Sequence, residues 1–225
     1  MNKKNKKDIN LLIDYDMPRI PKWLYKKYLK KNDLNIGSGF STPAYDVYIT
    51  ELNYLFRKAT EYIKGAEIIK KNTNSCNMSF HLLTSVAFEL LPKILIGYEI
   101  CLKYKKKKEN IISKEVIMNE IKKEMSKFGH DLELLYKKSP QITKELGIKK
   151  IKKFSNFHVC DYRIEFKNNK NVLFIKEIEA VRYGSFSRSR DTLVDCRNDH
   201  LVLDVLEKMK LFVLKKSRET YDKLL

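Results

Sequence analysis

Ala87-Phe88-Glu89-Leu90-Leu91-Pro92-Lys93 lies inside a run, Phe80 to Leu102, that is apolar on nearly every side, and it puts an acid and a base on a helix that such composition marks as central. Leu82, Val86, Glu89, Lys93, Ile96 and Ile100 recur at three- and four-residue spacing, so the two charges interrupt an apolar seam instead of lying on a wet face. Pro92 removes one helix hydrogen bond and crowds the carbonyl of Phe88, which predicts a kink between them. Glu89, Lys93 and Glu99 also argue against a membrane span: each central charge costs roughly 2.5–3.5 kcal/mol on insertion, and each leucine or isoleucine returns only about 0.3–0.6. The run reads as the buried helix of a soluble protein.

Outward from this helix, the chain is punctuated by helix signals. Upstream, Thr42-Pro43 supplies an N-cap and a first-turn proline, and Tyr45, Tyr48, Leu52, Leu55, Ala59, Tyr62, Ala66 and Ile69 form one apolar stripe. The short polar turn Asn72 to Ser75 predicts an antiparallel return. Before it all, residues 1–41 read as a basic arm and a short helix, Pro21 to Lys31, followed by the loop Gly37-Ser38-Gly39. Downstream, Ser113 caps a helix with Val116, Ile117, Ile121 and Met125 on one face and Gly129 past its end. His130-Asp131 starts another helix carrying Leu132, Leu135 and Tyr136, and Ser139-Pro140 opens one more, closed by Gly147. Over 157–180 the period changes: Val159, Tyr162, Ile164 and Phe166, then a polar stretch, then Val172, Phe174 and Ile175, the pattern of an inserted β-hairpin. A basic loop, Arg182 to Arg190, leads to a last helix through Leu201, Val205, Leu206, Met209, Phe212 and Val213.

With 225 residues, 43% of them hydrophobic, the chain can build a sizeable core, and seven glycines and five prolines favour long helices over many short strands. Forty-six Lys and Arg against 28 Asp and Glu give a net charge of +18, a field that attracts polyanions. Only eight of those cations are arginine, so a solvated lysine surface explains the same number. Cys76, Cys101, Cys160 and Cys196 form no CxxC and no apolar leader precedes them, which fits a reducing cytoplasm. No Gly-rich phosphate loop, GxSxG, HExxH or dinucleotide fingerprint occurs, so no cofactor is expected.

The residues that carry chemistry are few. Glu89 and Lys93, four apart, pair on one helix face, either as a structural ion pair or as part of a site. Asp131 at a helix start is accounted for as a cap; His130 beside it is not, and histidine is the side chain that exchanges protons near neutrality. Arg182, Arg188 and Arg190 offer bidentate forks for phosphate, with Tyr183 and Phe186 able to stack on a base. Arg197 and His200 share a helix face, with His200 able to transfer a proton and Arg197 to steady charge on a phosphate, whereas Asp191, Asp195 and Asp199, recurring every four residues, form a face that reads most simply as solvated charge. Cys196 and His200 with His158 and Cys160 make a zinc set on paper, but nothing joins the two halves, and no metal is expected.

Taken together, Glu89 and Lys93 on a second core helix, Gly129-His130-Asp131-Leu132 at a later helix start, and Arg182-Tyr183 resemble the HEPN superfamily, especially its bacterial members with a Glu/Lys pair and a Gly-His-Asp-Leu start. The resemblance implies a mainly all-α, antiparallel helical bundle over 42–225. It also implies a groove in which Glu89, Lys93 and His130 are catalytic and Arg182 and Tyr183 bind nucleic acid, and the arginine loop adds Arg188 and Arg190 as further nucleic-acid-binding candidates. It implies an RNA- or nucleotide-interacting protein, a metal-independent ribonuclease of a bacterial defence or toxin-antitoxin module. The alternative is a non-catalytic module whose partner is a nucleotidyltransferase or another defence protein. No membrane partner is expected, and a homodimer is left open. The chain departs from the family's ribonucleases in one respect: they carry an arginine, a short spacer of four to six residues and a histidine, and none of His81, His130, His158 or His200 follows an arginine at that spacing. Arg197 and His200 have only two residues between them.

Overall fold

The computed structural model describes residues 42–72, 78–106, 113–156, 159–167, 172–176 and 199–224. The arm and short helix assigned to 1–41 and the arginine loop Arg182 to Arg190 lie outside them. The described residues are mainly helical, with one small antiparallel sheet.

Thr42 caps the first helix, its hydroxyl accepting from the Tyr45 amide at 3.2 Å, and Pro43 takes the first helical position. The sequence predicts one unbroken helix from here. Instead α1 (Pro43–Val47) passes through a single π turn, Tyr48–Leu52, before α2 (Asn53–Asn72). The wide turn seats two large side chains. Tyr48 is fully buried with its hydroxyl 3.0 Å from the Ser217 carbonyl and 2.8 Å from the Ser217 hydroxyl, and Leu52 fills the space above Gly97, where a Cβ would stand 2.5 Å from Leu52 Cδ2. Beyond it the stripe continues inward through Ala59, Ile63 and Ala66.

The apolar run forms α3 (Met78–Lys106), which packs against α1, the π turn, α2 and, later in the chain, three helices and a strand. By length and composition it is apolar enough to cross a membrane, but 72% of its apolar window is buried inside the protein, as a core helix requires. The helix continues through Pro92 as one element. Because Pro92 has no N–H, the Phe88 carbonyl loses its helical donor. The hydroxyl of Tyr136, reaching from another helix, donates to it at 3.2 Å. Tyr136 is buried, which pushes its phenol pKa well above the usual value and keeps it a donor.

Ser113 caps α4 (Lys114–Ser126), accepting from the Val116 amide at 3.4 Å. Ile117 and Ile121 are buried as expected, whereas Val116 is turned to solvent, because the stripe is narrower than the sequence face. Then come α5 (Leu132–Lys138) and α6 (Pro140–Glu145), the second closed by Gly147 at φ +63°, a left-handed conformation suited to glycine.

The expected hairpin exists as β2 (Val159–Phe166) and β3 (Val172–Lys176), with Tyr162 opposite Ile175 and Ile164 opposite Leu173. A further strand, β1 (Ile148–Asn156), pairs antiparallel to β2 and completes the order β1-β2-β3. Its Ile-Lys-Lys-Ile-Lys-Lys pattern has period three, which conceals a strand. An irregularity in pairing between Ile148 and Lys150 lets two isoleucines three apart both turn inward. Of the apolar run in β3, Ile175 is buried together with Leu173, and Phe174 is on the outer face. The last helix, α7 (Asp199–Leu224), covers α3 with Val202, Val205, Leu206, Met209 and Val213.

Tyr136→Phe removes the substitute donor and leaves the Phe88 carbonyl buried and unpaired. Urea denaturation is expected to lose about 1–3 kcal/mol with an unchanged slope. A midpoint equal to that of the unaltered chain would mean that Phe88 has another donor.

Candidate functional site

Glu89 and Lys93 stand one turn apart on α3, on either side of the prolyl defect. The Lys93 ammonium donates to Glu89 Oε1 at 2.6 Å and to the Gly129 carbonyl at 2.8 Å. The other carboxylate oxygen, Glu89 Oε2, lies 2.7 Å from His130 Nδ1. Lys93, Glu89 and His130 therefore form one hydrogen-bonded chain, although 41 residues separate Glu89 from His130.

The turn that delivers His130 is built locally. At the end of α4, Gly129 takes φ +51°, which few other residues tolerate, and its carbonyl becomes available to Lys93. Asp131 Oδ1 accepts from the Leu134 amide at 3.1 Å and caps α5, as the sequence indicates. Between the two, the His130 carbonyl accepts from the Tyr162 hydroxyl at 3.3 Å. Sequence reasoning missed this contact, since Tyr162 signals only a buried strand position. Lys153 of β1 approaches the same place: its ammonium lies 5.9 Å from the Tyr162 ring centre, and its amide donates to Glu133 Oε2 at 3.4 Å. Lys137, and after it that amide, hold the Glu133 carboxyl below the usual carboxylate range.

Burial grades outward along the chain of groups. The Glu89 side chain is 7% exposed, Lys93 13% and His130 38%. A carboxylate only accepts, so the Nδ1 that faces Glu89 carries the ring proton and Nε2 of the neutral ring is an acceptor. Nε2 has no partner among the described contacts. Lys93 spends two of its three N–H groups on Glu89 and Gly129. The arrangement can thus orient an imidazole and accept a proton at its outer nitrogen.

Arg182, Tyr183, Arg188 and Arg190 lie outside the described residues, as do Arg197, Cys196 and His158; His200 is exposed on α7. Among the described residues, no three His, Cys, Asp or Glu side chains gather to hold a metal ion. Among the described residues, a cavity of about 300 Å³ opens beside Lys103, Glu120 and Glu124 and one of about 120 Å³ beside Tyr98, Gln141 and Thr220. Neither is lined by Glu89, Lys93 or His130. No family model, curated protein or solved structure matches the chain.

Removing one member of a buried ion pair strands the other. Lys93→Met is expected to destabilise the fold by roughly 3–5 kcal/mol in chemical denaturation, and Glu89→Gln added to it is expected to recover part of the loss. A single variant within half a kcal/mol of the unaltered chain would show that water compensates Glu89.

Proposed function

We propose that the chain binds RNA or nucleotides and, as a HEPN-like, metal-independent ribonuclease of a bacterial defence or toxin-antitoxin module, cleaves RNA through His130. The observation that carries this reading is the 2.7 Å contact of His130 Nδ1 with Glu89 Oε2, which leaves Nε2 as the proton acceptor of a side chain that reaches solvent. In the reaction, Nε2 takes the proton of a ribose 2′-hydroxyl, that oxygen attacks the adjacent phosphorus, and the 5′-oxygen of the next nucleotide leaves with a proton returned by the imidazolium. Glu89 is a positioning residue: it fixes the ring and offsets the charge of the imidazolium. The remaining N–H of Lys93, or Arg182, stabilises the developing charge on phosphorus. The net charge of +18 supplies attraction for the polyanion.

One observation favours the alternative, a non-catalytic module partnering a nucleotidyltransferase or other defence protein. The described contacts of Glu89 and Lys93 all serve the pair itself or the Gly129-His130 turn, as they would in a purely structural clamp.

A labelled RNA incubated with the purified chain in chelator separates the two. His130→Asn keeps an amide N–H near the position of Nδ1 and has nothing at Nε2. It is expected to melt within about two degrees of the unaltered chain and to lose roughly 100- to 10,000-fold in cleavage rate. Added imidazole is expected to restore part of the rate to His130→Ala. RNA that is bound but never cut would favour the non-catalytic reading. No binding even at low salt would overturn the RNA reading altogether.

A further inference from the structure

The small sheet has a face that the His130 site does not use. Ile151, Ile164 and Leu173 form one buried row across the three strands, and Tyr162 with Ile175 begins the next. The alternate residues point the other way. By register Lys152 stands opposite Arg163, and Arg163 opposite Phe174, so a cation, a guanidinium and a phenyl ring form one row over neighbouring strands. With strands about 4.8 Å apart, the row spans roughly 10 Å. Lys150, opposite Glu165, adds another exposed cation beside it.

Two features of this row ask for a ligand. Phe174 is 42% exposed, on a face where its neighbours are charged. Arg163 engages Glu165 Oε1 through Nε alone, at 3.2 Å, so both terminal nitrogens are left for another acceptor among the described contacts. Lysines on an edge strand also deter pairing between sheets. That accounts for β1, but not for an arginine on the central strand or for the exposed ring next to it. A partner that satisfies the whole row must be anionic and carry flat apolar faces. Single-stranded nucleic acid does both.

We propose that this outer sheet face is a binding surface for single-stranded RNA: Phe174 stacks on a base, and Arg163 with Lys152 and Lys150 holds the flanking phosphates. The proposal rests on the RNA reading above and names a surface for it. β1 joins the two places. Lys153 follows Lys152 on the opposite side of the strand, and its ammonium lies 5.9 Å from the ring of Tyr162, whose hydroxyl holds the His130 carbonyl. A strand bound on the sheet reaches His130 by crossing the β1 edge.

The test is fluorescence anisotropy of the full chain with a labelled oligouridylate, and with heparin as a polyanion that has no bases. Phe174→Ala is expected to weaken the oligouridylate about tenfold and to leave heparin within about twofold. Lys152→Gln/Arg163→Gln is expected to weaken both ligands about tenfold and to reduce the salt slope for RNA by about 1.4. Lys122→Gln/Lys123→Gln removes the same charge from exposed positions of α4 and is expected to change RNA binding by less than about twofold. The substituted side chains are exposed, so unchanged melting checks the fold. The inference is overturned if the oligouridylate binds and the sheet variants do not weaken it, if the α4 pair weakens it equally, or if Phe174→Ala weakens heparin as much as RNA. An unaltered chain that fails to bind RNA overturns the RNA reading itself, and this surface with it.

Discussion

A carboxylate inside a helical core dictates much of the architecture. Glu89 is almost wholly removed from water, and an uncompensated charge there would cost several kcal/mol. Each of its oxygens is therefore met by a different residue, Lys93 from its own helix and His130 from the turn between α4 and α5. Satisfying the charge pins that turn against α3. Lys93 tightens the connection by bonding the Gly129 carbonyl, so one ammonium serves both the acid and the backbone that carries the histidine.

The same helix carries a second defect that is answered from the same direction. Pro92 frees the Phe88 carbonyl, and Tyr136 of α5 donates to it; one helix junction on, the Ser139 hydroxyl lies 3.4 Å from the Pro92 carbonyl. Charge and proline thus leave α3 with unmet polar groups within a short stretch, and α5 with its flanking turns helps to meet both. Around Glu89 and Pro92 the helix is held by buried polar contacts as well as by the apolar packing of its leucines and isoleucines. Those polar contacts place a site-like cluster on a helix otherwise built as core.

The sequence announces these parts unequally. Caps at Thr42, Ser113 and Asp131 are legible because a cap is a contact over three residues. Contacts over longer separations leave no local trace, and Tyr136 to Phe88 spans 48 residues. The Glu89–Lys93 pair is readable from spacing, but its partner His130 was placed near it only through a family resemblance. β1 escaped notice because its bulge replaces alternation with a period of three, and the π turn because Tyr48 and Leu52 keep the same stripe in either kind of helix. The orientation of Phe174 leaves no local mark either: an aromatic in a strand faces whichever side the pleat gives it.

The join between Tyr48 and Ser217 links segments 169 residues apart, and α7 lies over a broad side of α3. During synthesis, α3 is complete long before that cover exists, with roughly a hundred residues still to be added. At about 5–20 residues per second, this apolar helix waits on the order of five to twenty seconds for α7. The nascent protein therefore presents a sticky, unfinished surface for a biologically long interval. The order in which this fold is threaded leaves α3 without that cover until α7 has been made.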